Sequence, residues 1–222
     1  NTDNTNAAST ALIIASTGGA SAGDAVFQAS TTTTTWSLGV DNSVTVPTAD
    51  TFVIAQGTAL GTNNVMSVAT SGEINYPLQP AFFAILGTTD TNATGDSTNF
   101  VVGTGNALTE IFDQNSDFNT NGTFTAPVTG RYFLQGTIRM TGGTVLTACN
   151  QFTNTSNRNF RQDFLFGTAT VSDSDINISC LADMDAADTS TISISAADTG
   201  GKVDDVFGDA APFTWFSGNL VC

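Results

Sequence analysis

The clearest structural signal in the sequence is the stretch Gly130-Arg131-Tyr132-Phe133-Leu134-Gln135-Gly136-Thr137-Ile138-Arg139-Met140. Four apolar side chains in it fall on alternate positions and would share one face: Tyr132, Leu134, Ile138 and Met140. Five side chains at the positions between them would face the other way: Arg131, Phe133, Gln135, Thr137 and Arg139. Because successive side chains of a β-strand point to opposite faces, this two-residue period predicts a half-buried strand.

The same period recurs along the chain, and helical periodicity is nearly absent. Residues 176–180 and 192–194 alternate in the same way. Short apolar clusters bounded by Gly, Asn, Asp and Thr predict further strands at residues 81–86, 100–102, 108–112, 164–166 and 215–221. The sequence therefore predicts an all-β protein.

The residues that precede the first stretch predict a hairpin. Phe124 would be a buried aromatic anchor, and Pro127 ends its strand because proline cannot donate to a ladder. Gly130 is then the turn residue that leads into the alternating strand.

A domain boundary is expected at Pro77 and Pro80. Before it, brief apolar segments alternate with turn residues, and they are too short and too polar to close a core alone. We therefore expect residues 1–79 to form a β-rich stem or assembly segment that is stabilised by winding against copies of itself. Residues 80–222 would form the main domain.

The charge balance excludes several classes of function. The 222 residues include 20 acidic side chains, 5 basic ones and no histidine, for a formal net charge of −15. There is no imidazole to act as a base, proton shuttle or metal ligand. A chain this acidic repels phosphate backbones, so no nucleic-acid partner is expected. Its apolar runs are far shorter than the roughly 20 residues that span a bilayer, so no membrane insertion is expected.

The polar composition points to a location outside the cell. Solubility comes from Thr, Ser and Asn rather than from Lys and Glu, which is typical of extracellular and virion β proteins. The chain begins at Asn1 without a methionine, so we expect a processed or excised segment.

The three cysteines, Cys149, Cys180 and Cys222, are far apart in the sequence and lack the short spacings of a zinc or redox site. The default interpretation is that two or three of them are buried thiols that act as small apolar residues. A Cys149–Cys180 disulfide is the alternative, with Cys222 free or paired between chains.

One acidic run is a candidate metal site. Asp183, Asp185 and Asp188 lie close together in the sequence, and carboxylate oxygens in a loop suit calcium. The spacing is not that of an EF-hand, and a solvated acidic loop explains the same residues. Calcium is therefore the one cofactor that the sequence suggests.

Catalysis is not indicated, and one cluster suggests binding. A serine or cysteine nucleophile has no histidine base, and a pair of carboxylates for glycoside hydrolysis is not marked by the sequence.

The sequence contains a single local cluster of cationic and aromatic residues, which consists of Arg158, Phe160 and Arg161. They predict either a loop that pairs with the acidic surface or a face that binds an anionic or sugar ligand.

From about Gln79 to the end, the chain resembles the globular-head family of the first complement component, a branch of the tumour-necrosis-factor-like jelly rolls that also occurs at fibre tips. Three stretches carry the resemblance: Gln79-Pro80-Ala81-Phe82-Phe83-Ala84, the segment from Ile111 through Gly122-Thr123-Phe124-Thr125-Ala126-Pro127 to Phe133, and Thr214-Trp215-Phe216-Ser217-Gly218-Asn219-Leu220-Val221. This sequence departs from the family at Leu134 and Gly136, where members of the family usually have aromatic residues. The resemblance implies a trimeric jelly-roll sandwich of about ten antiparallel strands.

The front third separately resembles repeat-like segments of phage tail fibres. The segments that carry this resemblance are Trp36-Ser37-Leu38-Gly39-Val40-Asp41-Asn42-Ser43, Phe52-Val53-Ile54-Ala55 and Leu60-Gly61-Thr62-Asn63-Asn64-Val65-Met66. Both resemblances together imply a phage tail-fibre or fibre-tip protein. It would be a homotrimer in the virion, joined to other tail proteins, that attaches without enzymatic activity to a glycan or outer-membrane protein on the host surface.

Recognition is expected at loops distal to the stem, around residues 150–161, 87–99 and 197–212. Two other functions remain open at this point. The protein could be a structural virion decoration or extracellular filament subunit, or its tip could degrade polysaccharide.

Overall fold

The computed structural model describes residues 13–18, 23–42, 50–165 and 173–222. The regular elements within these ranges are β-strands, and no helix suited to crossing a membrane occurs among them. The chain forms two compact units, Asn1–Leu78 (unit 1) and Gln79–Cys222 (unit 2).

Unit 1 is one antiparallel five-stranded meander. Its strands are β1 (Ala25–Ser30), β2 (Thr35–Asp41), β3 (Thr51–Gln56), β4 (Asn64–Val68) and β5 (Ile74–Asn75), paired in chain order. Its core consists of Val53, Ala55 and Leu60, with Val26 packed against them. The short strands predicted before Pro77 therefore pair with one another, and they bury few apolar side chains.

Unit 2 contains the remaining strands. They are β6 (Ala81–Leu86), β7 (Asp90–Thr94), β8 (Asp96–Val101), β9 (Leu108–Asp113), β10 (Phe118–Asn119), β11 (Thr123–Thr125), β12 (Gly130–Thr141), β13 (Leu146–Thr155), β14 (Asn159–Leu165), β15 (Asp173–Met184), β16 (Thr189–Asp198), β17 (Asp204–Val206) and β18 (Trp215–Leu220). All the strands predicted in this region are present, and Phe166 lies outside the described residues.

Twelve of these strands form two facing sheets, one of seven strands and one of five. The first sheet has the order β9-β6-β18-β12-β15, extended by β17 and β7 beside the end of β12. The second sheet has the order β10-β11-β16-β13-β14. Chain neighbours such as β11 and β12 lie in opposite sheets, as in a jelly roll. The predicted all-β jelly-roll sandwich is confirmed.

The segment between Phe124 and Gly130 is a crossover between the sheets, so the predicted hairpin is wrong. β11 pairs with β10 and β16, whereas β12 pairs with β15, β17 and β18. Pro127 does end a strand and Gly130 does begin one, but the chain changes sheets between them. Local turn residues specify that a strand stops, and the pairing partner is set by distant segments.

The core lies between the two sheets and is rich in phenylalanine. The rings of Phe118 and Phe124 stack on Phe82 with centroids 4.7 and 4.8 Å away, and Phe216 meets Phe82 edge to face at 5.0 Å. Gly218 permits this packing, because a Cβ atom there would lie 2.7 Å from the Phe82 ring. The four alternating residues of β12 that the sequence predicts as buried are each at most 2% exposed.

The register defines the two ends of the sandwich. We call one end proximal, namely the end at which β6 and β12 begin and β15 and β18 end. There, Ala81 is opposite Asn219, Tyr132 is opposite Leu220 and Gly130 is opposite Met184. At the distal end, β17 joins the last residues of β12, where Met140 is opposite Val206.

Candidate binding site

The three aspartates of the predicted calcium site lie at the proximal end but have separate partners. Asp183, at the end of β15, forms an ion pair with Arg158. Asp185 Oδ1 accepts a hydrogen bond from Thr129 Oγ1 at 3.5 Å. Asp188 Oδ2 accepts hydrogen bonds from the Asp185 backbone N–H at 2.9 Å and from Asn157 Nδ2 at 2.8 Å.

The structure therefore does not bring Asp183, Asp185 and Asp188 together as one ligand set, and the calcium site stays a prediction. Over the described ranges, no three acidic, thiol or imidazole side chains are placed to hold a metal ion. The physical reason is that each carboxylate is used locally. One neutralises a guanidinium, and the other two stabilise the turn that joins β15 to β16.

A pocket of about 300 Å³ opens beside these residues. Its lining residues are Thr129, Gly130, Arg131, Asn157, Asp183, Met184, Asp185 and Cys222. Arg131 Nη1 donates to Cys222 Sγ at 3.6 Å, and the Arg131 backbone N–H donates to the Cys222 carbonyl at 2.7 Å. The volume is at the lower end of the range for ligand sites, and the walls present polar and apolar surface in similar amounts. The pocket suits a small ligand at most.

The structure separates the predicted binding cluster of Arg158, Phe160 and Arg161. Arg158, in the turn between β13 and β14, faces the proximal end and pairs with Asp183. Phe160 is half-buried and packs against the core. Only Arg161 lies on the outer face of the second sheet, because its neighbour in β14 points inward.

Arg161 belongs to a group of four residues on that outer face, which we call the Arg161 cluster. It lies opposite Phe152 of β13, and its guanidinium carbon is 5.6 Å from the ring centroid. The guanidinium also donates to Asn150 Oδ1 at 3.2 Å and pairs with Asp163. The cluster combines an aromatic ring with donors and acceptors at the surface, a chemistry that suits a sugar or a polar peptide. Sequence reasoning found Arg161 but missed Phe152, which is near it only through strand pairing.

The predicted recognition loops lie at two different ends. The β13–β14 turn, near residue 157, lies at the end of unit 2 where β6 begins. The segments around residues 87–99 and 197–212 come together at the distal end. There the Gly208 backbone N–H donates to Thr89 Oγ1 at 3.1 Å, and the Asn92 backbone N–H donates to Asp205 Oδ1 at 2.7 Å.

The cysteines are free thiols, as the default interpretation of the sequence predicts. Cys149 is buried, Cys180 is half-buried and Cys222 is exposed. The alternative Cys149–Cys180 disulfide is absent, since both residues are free thiols, Cys149 in the second sheet and Cys180 in the first. Burial raises the pKa of Cys149 to about 12 and that of Cys180 to about 11, which disfavours the reactive thiolate.

Two buried carboxylates at the distal end are functional candidates that the sequence does not mark. Asp204 is 1% exposed, and burial, with the nearby Asp198 and Asp205 charges, raises its pKa to about 6. Burial also raises the pKa of Asp90, whose Oδ1 accepts hydrogen bonds from the backbone and side chain of Asn106 at 2.6 and 2.8 Å. Asp90 fixes the loop before β9. Neither carboxylate lines the proximal pocket, so we assign them structural roles.

The outer face of the first sheet is aromatic. The Phe83 ring centroid is 6.3 Å from that of Phe112 and 5.7 Å from that of Trp215. Phe133 lies opposite Leu181 on the same face. Phe112, Phe133 and Leu181 are all exposed in the single chain. The alternation in β12 already predicts that Phe133 points away from the core.

Arg139 ends this face at the distal side. Its guanidinium carbon is 4.6 Å from the Phe213 ring centroid and 5.5 Å from that of Phe207. It also forms ion pairs with Asp173 at 3.5 Å and Asp175 at 3.9 Å. These contacts tie the β17–β18 loop to the first sheet.

Comparisons with solved structures give weak likenesses over about two thirds of the chain. The globular domain of zebrafish complement 1qA protein aligns with 65% of this chain and 98% of that chain, at 16% identity and a TM-score of 0.44. Murine APRIL at pH 8.5 aligns with 64% of this chain and 99% of that chain, at 12% identity and a TM-score of 0.45. Eiger TNF from S. frugiperda aligns with 65% of this chain and 93% of that chain, at 10% identity and a TM-score of 0.41. No protein-family model and no curated protein sequence matches the chain. The jelly-roll assignment rests on the strand order and pairing described above.

Proposed function

We propose that the protein is a non-enzymatic attachment subunit of a phage tail fibre and that it acts as a homotrimer. The observation that carries the proposal is the different chemistry of the two outer faces of unit 2. The first sheet presents exposed aromatic and aliphatic side chains, and the second presents the polar Arg161 cluster. One face therefore suits packing against other copies and the other suits a ligand.

The aromatic face supports self-association. Phe83, Phe112 and Trp215 form one contiguous group, and contiguous exposed apolar groups mark interaction sites. Covering them with the same face of other copies removes this area from water without a second protein. The sequence resemblance to a trimeric head family favours three copies over two.

The Arg161 cluster supports attachment to a host-surface receptor. A planar guanidinium that stacks on Phe152 can donate to sugar hydroxyls or to a peptide backbone, while Asn150 and Asp163 accept. One such shallow site binds weakly. Three copies that engage one surface at once gain affinity without a new contact, as a fibre tip requires. Residues 1–79 would link this tip to other tail proteins of the virion.

The proposal is tested by binding to bacterial surface components. Purified protein is applied to arrays of bacterial surface polysaccharides and to outer-membrane vesicles, each vesicle sample tested untreated, protease-treated or periodate-treated. Loss of binding after periodate indicates a glycan receptor, and loss after protease indicates an outer-membrane protein. We expect Arg161→Ala and Phe152→Ala to reduce binding, while the exposed distal Lys202→Ala does not.

Light scattering on the same samples reports assembly. Three times the mass of one chain supports the trimer, and Arg161→Ala should keep that mass. A stable monomer, or binding that is equal for all three variants, contradicts the proposal. Open-ended polymers would instead indicate a filament subunit.

A further inference from the structure

The sheet of unit 1 leaves its large apolar side chains exposed and covers its small and polar ones. On β2 and β3 the large apolar side chains lie on the open face, and the covered face holds Ser37, Gly39, Asp41, Thr51, Val53 and Ala55. Five apolar side chains on the open face are each 37–42% exposed: Phe27, Trp36, Leu38, Val40 and Phe52. We call these five the unit 1 apolar face.

These side chains are neighbours through strand pairing. Leu38 is opposite Phe27 on β1 and opposite Ile54 on β3, and Val40 is opposite Phe52. The face therefore runs across three strands as a continuous surface. A sheet with a contiguous apolar face is stable only when a second layer covers that face.

The chain itself covers the opposite face. The loop after β3 folds back over the sheet: Ser37 Oγ donates to the Gly57 carbonyl at 2.7 Å, and Gln28 Nε2 donates to the Thr58 carbonyl at 2.7 Å. Leu60 of this loop is buried against Val53 and Ala55. Unit 1 thus places its own covering loop on the small and polar face and leaves the large apolar side chains open.

We propose that the unit 1 apolar face packs against the same face of other copies of this chain. The inference deepens the proposed homotrimer and rests on it, because it names a second contact surface of that assembly. Charge favours this occupant. Residues 1–130 contain no Lys or Arg, and a chain of net charge −15 repels its copies wherever carboxylates meet. The unit 1 apolar face carries no charge, and Asp41 points to the covered side.

The same charge argues against two other occupants. A lipid surface is recognised by apolar side chains flanked by Lys and Arg, and this region has neither. A basic protein partner would be attracted to carboxylates, and the face offers none. An uncharged apolar surface of identical composition is the partner that fits.

The exposed area indicates how the contact is sustained. Aromatic side chains bury roughly 150–250 Å² each when fully covered. Because the five side chains of the face are each about two-fifths exposed, the face offers on the order of 400 Å² per copy. A stable interface uses about 800 Å² per partner. The face would therefore associate weakly alone and strongly when unit 2 already holds the copies together.

The test uses the full chain with Trp215→Phe, which leaves Trp36 as the single tryptophan. Acrylamide quenching then reports whether Trp36, 41% exposed in one chain, is covered in the assembly. In this background we compare Leu38→Glu combined with Phe52→Glu, the milder Leu38→Asn, and Thr70→Glu as a control in an exposed turn. Circular dichroism verifies that each variant keeps its strands.

We expect the double variant to increase quenching of Trp36 and to raise the concentration of half-dissociation by at least about tenfold. Leu38→Asn should act in the same direction, and Thr70→Glu should match the parent protein. Equal quenching in all four proteins overturns the inference.

Phe112→Glu separates this inference from the proposed function. That substitution acts on the aromatic face of unit 2 and should dissociate the assembly and expose Trp36. If Trp36 stays shielded in the dissociated protein, its own chain covers it and the inference fails. If unit 2 assembles and binds its receptor while Trp36 is freely quenched, the inference fails and the proposed function stands. If Trp36 is shielded only after another protein is added, a foreign partner replaces the second copy.

Discussion

The Asp204 carboxylate lies against Gly95 so closely that a Cβ atom at position 95 would be 2.8 Å from Asp204 Oδ2. The same oxygen is buried and lacks a hydrogen-bond partner. Holding a charge there is unfavourable, which is why the pKa of Asp204 is raised to about 6 from an ordinary value of 3.8.

Stability should therefore increase as the pH falls from neutral to about 5. Between the ordinary and the raised pKa the folded state binds more protons than the unfolded state, so the free energy of unfolding decreases as pH rises through this window. Each pH unit between the two pKa values changes the free energy of unfolding by at most about 1.4 kcal/mol, so the gain from neutral pH to pH 5 is of about that size. Burial also raises the pKa of Asp90, so this residue contributes to the pH dependence in the same direction.

Asp204→Asn tests this dependence. We expect the variant to unfold at a higher temperature than the parent at pH 7.5, and the difference in Tm between pH 5 and 7.5 to shrink. Glu110→Gln removes the same charge from an exposed position and should leave the pH dependence unchanged. A pH profile of Asp204→Asn identical to that of the parent would disprove the assignment. Calorimetry at the two pH values provides the measurement.

Phe82→Ala should destabilise unit 2 by about 3–5 kcal/mol, because three other phenylalanine rings pack on Phe82 and the cavity cannot close. Phe112→Ala removes the same ring from a position that is 51% exposed, whereas Phe82 is 1% exposed. We expect less than about 1 kcal/mol from Phe112→Ala at concentrations where the chain is monomeric. Urea titration followed by circular dichroism compares the two. Equal losses would mean that the core is not centred on Phe82.

The sequence predicts those parts of the fold that depend on neighbouring residues. The alternation in β12 identifies Leu134 and Ile138 as buried because the side-chain period of a strand is local. It also identifies Phe133 as outward facing. The strands and the all-β class follow in the same way, whereas the two-sheet sandwich is expected from the family resemblance.

Features that depend on strand pairing could not be predicted. Phe152 and Arg161 meet because β13 and β14 are in register, and Arg158 meets Asp183 because two turns lie at the same end. Asp204 gives no sequence signal, since its burial results from the close approach of Gly95, more than a hundred positions earlier. The aspartates of the β15–β16 turn looked like a ligand set because their separate partners lie elsewhere in the chain.

The three thiols should differ in reactivity. Cys222 is exposed, whereas burial raises the pKa values of Cys149 and Cys180 to about 12 and 11. We expect a maleimide reagent at pH 7 to label one cysteine in the native protein and three after denaturation, with peptide mapping to identify Cys222. A reducing agent should leave Tm unchanged. Loss of stability on reduction, or two unreactive cysteines after denaturation, would reveal a disulfide.

A chelator should not change the stability or the mass of the protein, because protein donors already occupy the carboxylates of the β15–β16 turn. Asp188 Oδ2 accepts two hydrogen bonds, so Asp188→Ala should loosen the turn and cost about 1 kcal/mol. Arg158→Ala removes a solvent-exposed ion pair and should cost at most about 1 kcal/mol. Calorimetry with EDTA and with added calcium tests all three proteins. A calcium-dependent rise in Tm that Asp188→Ala abolishes would restore the metal site, in an assembly that brings the carboxylates of several copies together.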